Sequence, residues 1–465
     1  MPEKSQDKPL GDLMEENHEL GVSSIPALIW KFSLPSIVGM LVSALYNVVD
    51  RIFIGQGVGP LGIAGATIAF PLMQIQIAFA TLIGLGATTL ISINLGRRDK
   101  DTAERVLGNG FLLIIALAIT VSALGLIFLD PLLRLFGASE EVLPFARDYT
   151  SVILAGTVFQ VVGLGVNNFI RGEGNPKTAM MSMLIGAVLN AILCPLFLFV
   201  FHMGMRGAAF ATILSQAVSA VWVMSYYLSG RSALHLRLAN LRPRKDIVFP
   251  VIAIGSAPFA VNLANSLMNG VMNNQLQRYG GDLAVSSMGI VFALTSLFVF
   301  IAFGINGGVQ PIIGYNYGAK QPARVKQAAI FAIFAATATF IVGFAFIQLF
   351  PRPLVLLFAG TSNELADMSS YAIRRVLLCM PLIGFQIVSS GYFQAVGKPK
   401  HSMLLSLSRQ VLFLIPLLYI MPALAGLTGL WFAPASADFL AAVVTAFFFT
   451  REMRSLGRAE LGEAA

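Results

Sequence analysis

The stretch 284–310, AVSSMGIVFALTSLFVFIAFGINGGVQ, decides the fold, because it runs without one Asp, Glu, Lys, Arg or His. At about 1.5 Å per residue, a helix of this length crosses a hydrocarbon core about 30 Å thick. Its apolar residues do not alternate as those of a barrel strand do, so a spanning helix fits and a strand does not. Eleven further runs of the same kind surround it, at approximately 26–50, 62–88, 108–128, 144–168, 180–201, 204–228, 247–277, 328–350, 369–394, 403–424 and 428–449. Composition agrees: 56% of the 465 residues are apolar and 12% charged, about half the charged share of a soluble domain. So few charges cannot cover the surface of a water-soluble enzyme, and the chain reads as an integral membrane protein.

The formal charge of +8 lies in short clusters between the apolar runs rather than on one basic face, so nucleic acid is not expected as a partner. If the N-terminus is cytoplasmic, 23 of the 31 Lys and Arg fall on the inside, a clear positive-inside bias. Both termini are therefore expected in the cytoplasm. Residues 1–25 are polar and of mixed charge, with no apolar core or cleavage site, and read as a cytoplasmic tail. The tail 451–465 is placed on the same side. Cys194 and Cys379 lie in apolar runs and suggest no disulfide. The four histidines are scattered without zinc-ligand spacing, so neither metal nor cofactor is expected.

The chain also repeats itself at a spacing of 222 to 223 residues. Gly174-Asn175-Pro176-Lys177 is echoed by Gly397-Lys398-Pro399-Lys400, and Asn94-Leu95-Gly96 by Asn316-Tyr317-Gly318. Leu61-Gly62-Ile63-Ala64 corresponds to Leu283-Ala284-Val285-Ser286, and Pro35 to Pro258. Six spans per half is an even number, so both halves enter the membrane from the same side. The expected fold is all-α: twelve transmembrane helices in two six-helix bundles, 26–228 and 247–450, related by a parallel pseudo-two-fold repeat. A basic linker, 229–246, joins the bundles, and a central cleft between them is the natural place for a transported solute.

Of the 23 carboxylates, Asp50 and Asp438 stand out within the apolar runs, and the other 21 lie in connections, tails or span ends, as Asp148 does. A charge at mid-membrane costs roughly 2.5–3.5 kcal/mol on insertion scales, so each is a functional candidate. No Lys or Arg reads as equally deep; Lys31, Arg51 and Arg409 stand near span ends, where long side chains reach the interface. Deep negative charge without deep positive charge suits organic cations, protons or metal cations as cargo and disfavours anions. Ser43, Asn47 and Asp50 share one helix face, and Asn262, Asn265, Asn269 and Asn273 form a similar stripe in the seventh span. Further polar groups at helical spacing include Gln160 with Asn167 and Thr212 with Gln216. Such amides must face protein or a wet cavity, though many intramembrane amides only bond neighbouring helices. Asp438 has a structural reading of its own, since Pro434 frees backbone groups that it can satisfy.

Two segments carry a resemblance. Ala44-Leu45-Tyr46-Asn47-Val48-Val49-Asp50 late in the first span and Arg171-Gly172-Glu173-Gly174 before the fifth resemble the multidrug and toxic compound extrusion (MATE) transporters, in the bacterial branch with MepA-like and DinF-like members. The likeness covers about residues 26 to 450. It implies efflux of organic cations in exchange for protons or sodium by alternating access. The family's amino-terminal cation site maps onto Asp50, Asn190 and Thr212, with a hydrogen-bonding asparagine at Asn167. This sequence departs from the pattern at Cys194, which precedes Pro195 where related proteins often have an acid. A neutral thiol is a poor ligand for sodium, so a proton carried by Asp50 is the expected coupling ion and Na+ is disfavoured.

The expectation is thus an antiporter exporting organic cations or multiple drugs, working as a monomer in the lipid bilayer. Its coupling residues are Asp50, Asn190, Thr212, Asn167 and Cys194. Its cleft carries Ser43, Asn47, Gln160, Asn265, Asn269 and Asp438. The alternative is a flippase for a lipid-linked precursor, whose phosphate calls for deep Arg or Lys. A channel lacks a filter of carbonyl loops or a ring of charges. An intramembrane enzyme needs a nucleophile with its base or clustered metal ligands, and the apolar runs contain no histidine.

Overall fold

The computed structural model describes residues 20–136, 138, 140–359 and 363–460. The side chains of Ser43, Asn47 and Arg51 lie outside the described residues, so the polar face expected around the first two is not described. Among the described residues, nine helices are long and apolar enough to span, and two bent pairs make eleven. The stretch Pro399–Gly457 holds two of the twelve spans, because Gly426 (φ 55°) breaks it. Large apolar side chains on the outside of the bundles, such as Leu424, Phe334 and Phe447, are exposed, as lipid-facing groups are in the absence of lipid.

The first span is Ile25–Gly57 and the second Pro60–Gly96. The third, Lys100–Ile127, is capped by Asp99, whose carboxylate accepts the Thr102 amide at 3.0 Å. The fourth is the bent pair Leu143–Ala155 and Thr157–Gly172, the fifth runs through Pro176–Val200, and the sixth is Gly204–Leu228. In the second half the seventh and eighth are Lys245–Gly281 and Leu283–Gly318, and the ninth is Pro322–Leu349. The tenth is the bent pair Asn363–Val376 and Met380–Ala395. The eleventh covers 399–424 and the twelfth begins after Gly426. The last helix continues through Glu460, and Glu452 within it accepts from Lys398 (2.5 Å) and the Tyr392 hydroxyl (3.2 Å).

Backbone geometry repeats with the sequence. Gly59 and Gly281, Arg98 and Lys320, Gly174 and Gly397, and Gly204 and Gly426 all have positive φ and stand 222 or 223 residues apart. At Gly174 and Gly397 a left-handed residue ends one helix and the proline two positions on starts the next, which is why Gly-x-Pro recurs there. The bends in the fourth and tenth spans, 54° and 53°, match as well. Asn167 Nδ2 donates to the Ala179 carbonyl (2.6 Å), and Ser390, its counterpart, donates to the Ser402 carbonyl (3.2 Å).

The halves meet at the end that carries residues 97–99, 173–175 and 319–321, which we call the loop end. A Cβ on Gly96 would overlap the Tyr315 carbonyl, and one on Gly318 the Ile93 carbonyl. These two contacts are a pair under the pseudo-two-fold. Farther along, Gly86 lies on the Val251 carbonyl and Gly255 on the Leu82 carbonyl; on the opposite side of the axis Gly308 and Gly304 lie on Ser33 and Ile37. Gln310 donates across the seam to Thr89 at 2.9 Å, and the rings of Phe79 and Phe259 meet at 5.1 Å. Only glycine allows backbones this close.

The linker 229–246 is not a loose tether. Glu104, 1% exposed, accepts the His235 amide at 3.2 Å and pairs with Arg237 at 3.1 Å. Asn109 donates to the Asn240 carbonyl (3.1 Å) and accepts the Arg244 amide (2.8 Å).

Candidate functional site

Asp50 stands in the first span and is buried (7% exposed), with the Cys194 thiol donating to its Oδ1 at 3.4 Å. What places Cys194 there is the end of the fifth span. Pro195 lacks an amide hydrogen, so the Ala191 carbonyl loses its helical partner. The chain then widens into a π turn over Leu196–Val200. Asn190 lies one turn before Cys194 and therefore on the same face. It is 1% exposed and donates to Thr212 Oγ1 of the sixth span at 3.3 Å, while Thr212 donates to the Ala208 carbonyl at 3.1 Å. Asn190 Oδ1 is buried with no hydrogen-bond partner. An orphaned acceptor one turn from the thiol that holds a buried acid fits a group that brings a hydrogen, such as a protonated carboxyl or a water. Three spans, the first, fifth and sixth, thus converge on one small polar site inside the first bundle.

The remaining expected residues divide. Asn167 is buried, but its partners are the Ala179 carbonyl and the Ser182 hydroxyl (2.5 Å), so it braces the fourth span against the start of the fifth. Gln160 is half-buried and its Oε1 has no partner. Asn265 is half-buried and accepts from Gln410 Nε2 of the eleventh span at 3.1 Å, and Asn269 is exposed. Among the described residues no group of three His, Cys, Asp or Glu side chains forms a metal site. At Asp50 the contact with Cys194 offers a sulfur, which a hard cation does not seek.

Arg409 departs from the expectation. Asp438, 2% exposed, pairs with Arg409 Nε, so Arg409 turns inward instead of reaching for the interface. The Gln386 amide donates to the Asp438 carbonyl at 2.7 Å. Arg409 lies within a second π segment, Ser408–Leu414. Deep positive charge is therefore present, but Asp438 neutralises it. The expectation missed this because hydropathy placed Arg409 near a span start; a deep acid and a deep base in neighbouring spans were the signal. Arg171, expected in a connection, is buried in the last turn of the fourth span, with Nη2 3.0 Å from Met183 Sδ.

The matching family model, MatE, covers residues 35–196 and again 258–420, one copy in each half. The chain belongs to the MatE family. That membership makes it a multi-pass membrane transporter and not an enzyme. Among MatE relatives, it is 27% identical to the multidrug export protein MepA of Staphylococcus aureus over 93% of this chain and 95% of that protein. It is 26% identical to MepA of Staphylococcus haemolyticus over 91% and 93%. Among solved structures, it superposes with a TM-score of 0.89 on one described as MATE in complex with MaL6, at 27% identity over 95% of this chain and 99% of that one. A structure described as the outward-facing conformation of a multidrug resistance MATE family transporter matches equally well, at 26% identity over 98% and 100%.

Proposed function

We propose that the protein is a multidrug exporter that exchanges organic cations for protons, with Asp50 as the titrating group. The observation that carries this reading is the buried Asp50 carboxyl held against Cys194, one turn from the orphaned Asn190 acceptor. The other deep acid is already matched by Arg409. MepA relatives of nearly the same length and a solved multidrug MATE transporter support the drug-export part. Asp50 ionised favours a cationic drug in the cleft. Asp50 protonated loses that attraction, and its new hydrogen has Asn190 within the same site as an acceptor. The first span then repacks, with Pro35 inside the helix and Gly39 against Met183 Sδ as its places to bend.

We place the loop end and both termini in the cytoplasm of a bacterial inner membrane, from the Lys and Arg bias. The closed glycine seam then faces the cytoplasm, and the conformation is outward-facing. A monomer suffices, because the cleft lies between the two halves of one chain. The flippase reading is not supported, since the MepA relatives are multidrug export proteins and the Arg409 guanidinium is engaged by Asp438.

Vesicles containing the Asp50→Asn variant are expected to lose proton-driven uptake of a cationic dye, with the protein still assembled and monodisperse. Unchanged dye transport by that variant overturns the proposal.

A further inference from the structure

Two residues leave the helical backbone at matching places in the two halves, and both carry a positive charge. Arg98 (φ 62°) follows the second span and Lys320 (φ 56°) follows the eighth. A left-handed position favours glycine or asparagine, so a long cation stands there in spite of the backbone. Both line one cavity of about 640 Å³ at the loop end, together with Arg97 and Tyr315. Among the described residues no Asp or Glu lines it, and the side chains of Arg97, Arg98 and Lys320 make no hydrogen bond or ion pair. Arg324, close by, is already spent on the Leu20 and Ser23 carbonyls (3.0 and 2.7 Å). Asp99, next to Arg98, is turned to the Thr102 amide at the start of the third span. Its counterpart under the repeat is Gln321, which lines the cavity, makes no cap bond to the ninth span and keeps a buried Oε1 without a partner. The second half therefore has no carboxylate where the first half has one.

We propose that this cavity binds a phosphate-bearing anion with a hydroxyl of its own, and that the bound anion holds the two halves together. The phosphate answers Arg97, Arg98 and Lys320, and the hydroxyl answers Gln321 Oε1. Basic pockets between spans on the cytoplasmic side take lipid headgroups of this chemistry. Phosphatidylglycerol offers it at the membrane and glycerol 3-phosphate in solution. Gly96, Tyr315 and Gly318, whose contacts close the seam, also stand in the cavity wall, so the site is whole only while the seam is shut. A ligand of the closed arrangement alone favours that arrangement by linkage. In the orientation proposed above the anion comes from the cytoplasmic side, holds the protein outward-facing and delays its return to take up drug. The binding itself does not rest on Asp50.

The test is isothermal titration calorimetry of the purified full-length protein in a neutral detergent. The titrants are dihexanoyl phosphatidylglycerol, glycerol 3-phosphate and inorganic phosphate. At least one is expected to bind saturably at about 1 mM or below. Binding of the lipid alone identifies a headgroup as the ligand, and equal binding of glycerol 3-phosphate identifies a soluble ester. Arg97→Gln, Arg98→Asn and Lys320→Asn combined should lower the affinity at least about tenfold. Arg98→Lys with Lys320→Arg, which exchanges the two cations between the halves, should bind within about threefold of the wild type. So should Arg231→Gln with Arg454→Gln, exposed cations outside the cavity. Asp50→Asn should bind as the wild type does, which separates this reading from the exchange mechanism. Closure is read by double electron–electron resonance between nitroxides at positions 177 and 400, exposed on the two halves. In Gly255→Ala, whose added methyl meets the Leu82 carbonyl away from the cavity, saturating anion should restore the short distance. The proposal is overturned by no binding of any titrant, by an Arg231/Arg454 variant that loses as much as the triple variant, or by Gly255→Ala staying open at saturation.

Discussion

Cys194 occupies the position where an acid would give Asp50 a second carboxyl, and its thiol touches Asp50 at 3.4 Å. Two carboxyls that close cannot both ionise in a buried site unless a cation joins them. Cys194→Asp is therefore expected to make dye efflux respond to sodium, measured in vesicles as the rate in Na+ against K+ at fixed pH. The Arg409–Asp438 pair makes a different prediction. Removing one partner strands a buried charge, so Arg409→Met alone should cost about 3 kcal/mol of stability, whereas Arg409→Met with Asp438→Leu should recover most of it. Thermal unfolding in detergent distinguishes the two. The cluster of Asp50, Asn190 and Thr212 was legible from the family resemblance alone, because helical spacing cannot join residues on three different spans. The partnership of Arg409 with Asp438 was not, since it joins residues 29 apart across a helix break. Hydropathy sees each of them only as an interruption near a span.

At the scale of helices, the spans and their repeat were legible because apolar runs, Gly-x-Pro punctuation and paired matches all report on local chemistry. What the sequence hid is where helices touch. A glycine in a span reads the same whether it faces lipid or another backbone, and only the packed molecule separates Gly255 and Gly318 from the rest. Adding a Cβ there forces the seam apart, at a cost of about 1–3 kcal/mol for an overpacked contact. That is enough to shift a balanced pair of conformations roughly five- to hundredfold. Gly318→Ala is expected to lengthen the distance between nitroxide labels at positions 97 and 320, measured by double electron–electron resonance, and to slow efflux by a similar factor. The linker was read as a plain connection because its basic residues suggest solvent. Its anchors, Glu104 and Asn109, sit on the third span, far away in sequence.

For the molecule as a whole, one titrating acid facing one monovalent cation implies an exchange that moves no net charge. Each uncompensated charge would otherwise contribute about 2.3 kcal/mol per 100 mV. Efflux driven by a pH gradient should therefore keep its rate when the membrane potential is clamped to zero or to 100 mV with potassium and valinomycin; a clear voltage dependence would require a second coupled charge. The glycine seam has a consequence of another kind. Gly96 on Tyr315 and Gly318 on Ile93 are one contact made twice, each half offering the other the same surface. Such a surface is self-complementary. A lone ancestral six-helix unit bearing that glycine would already pair with its own copy as a homodimer, so gene fusion had only to tether an assembly whose gate was in place.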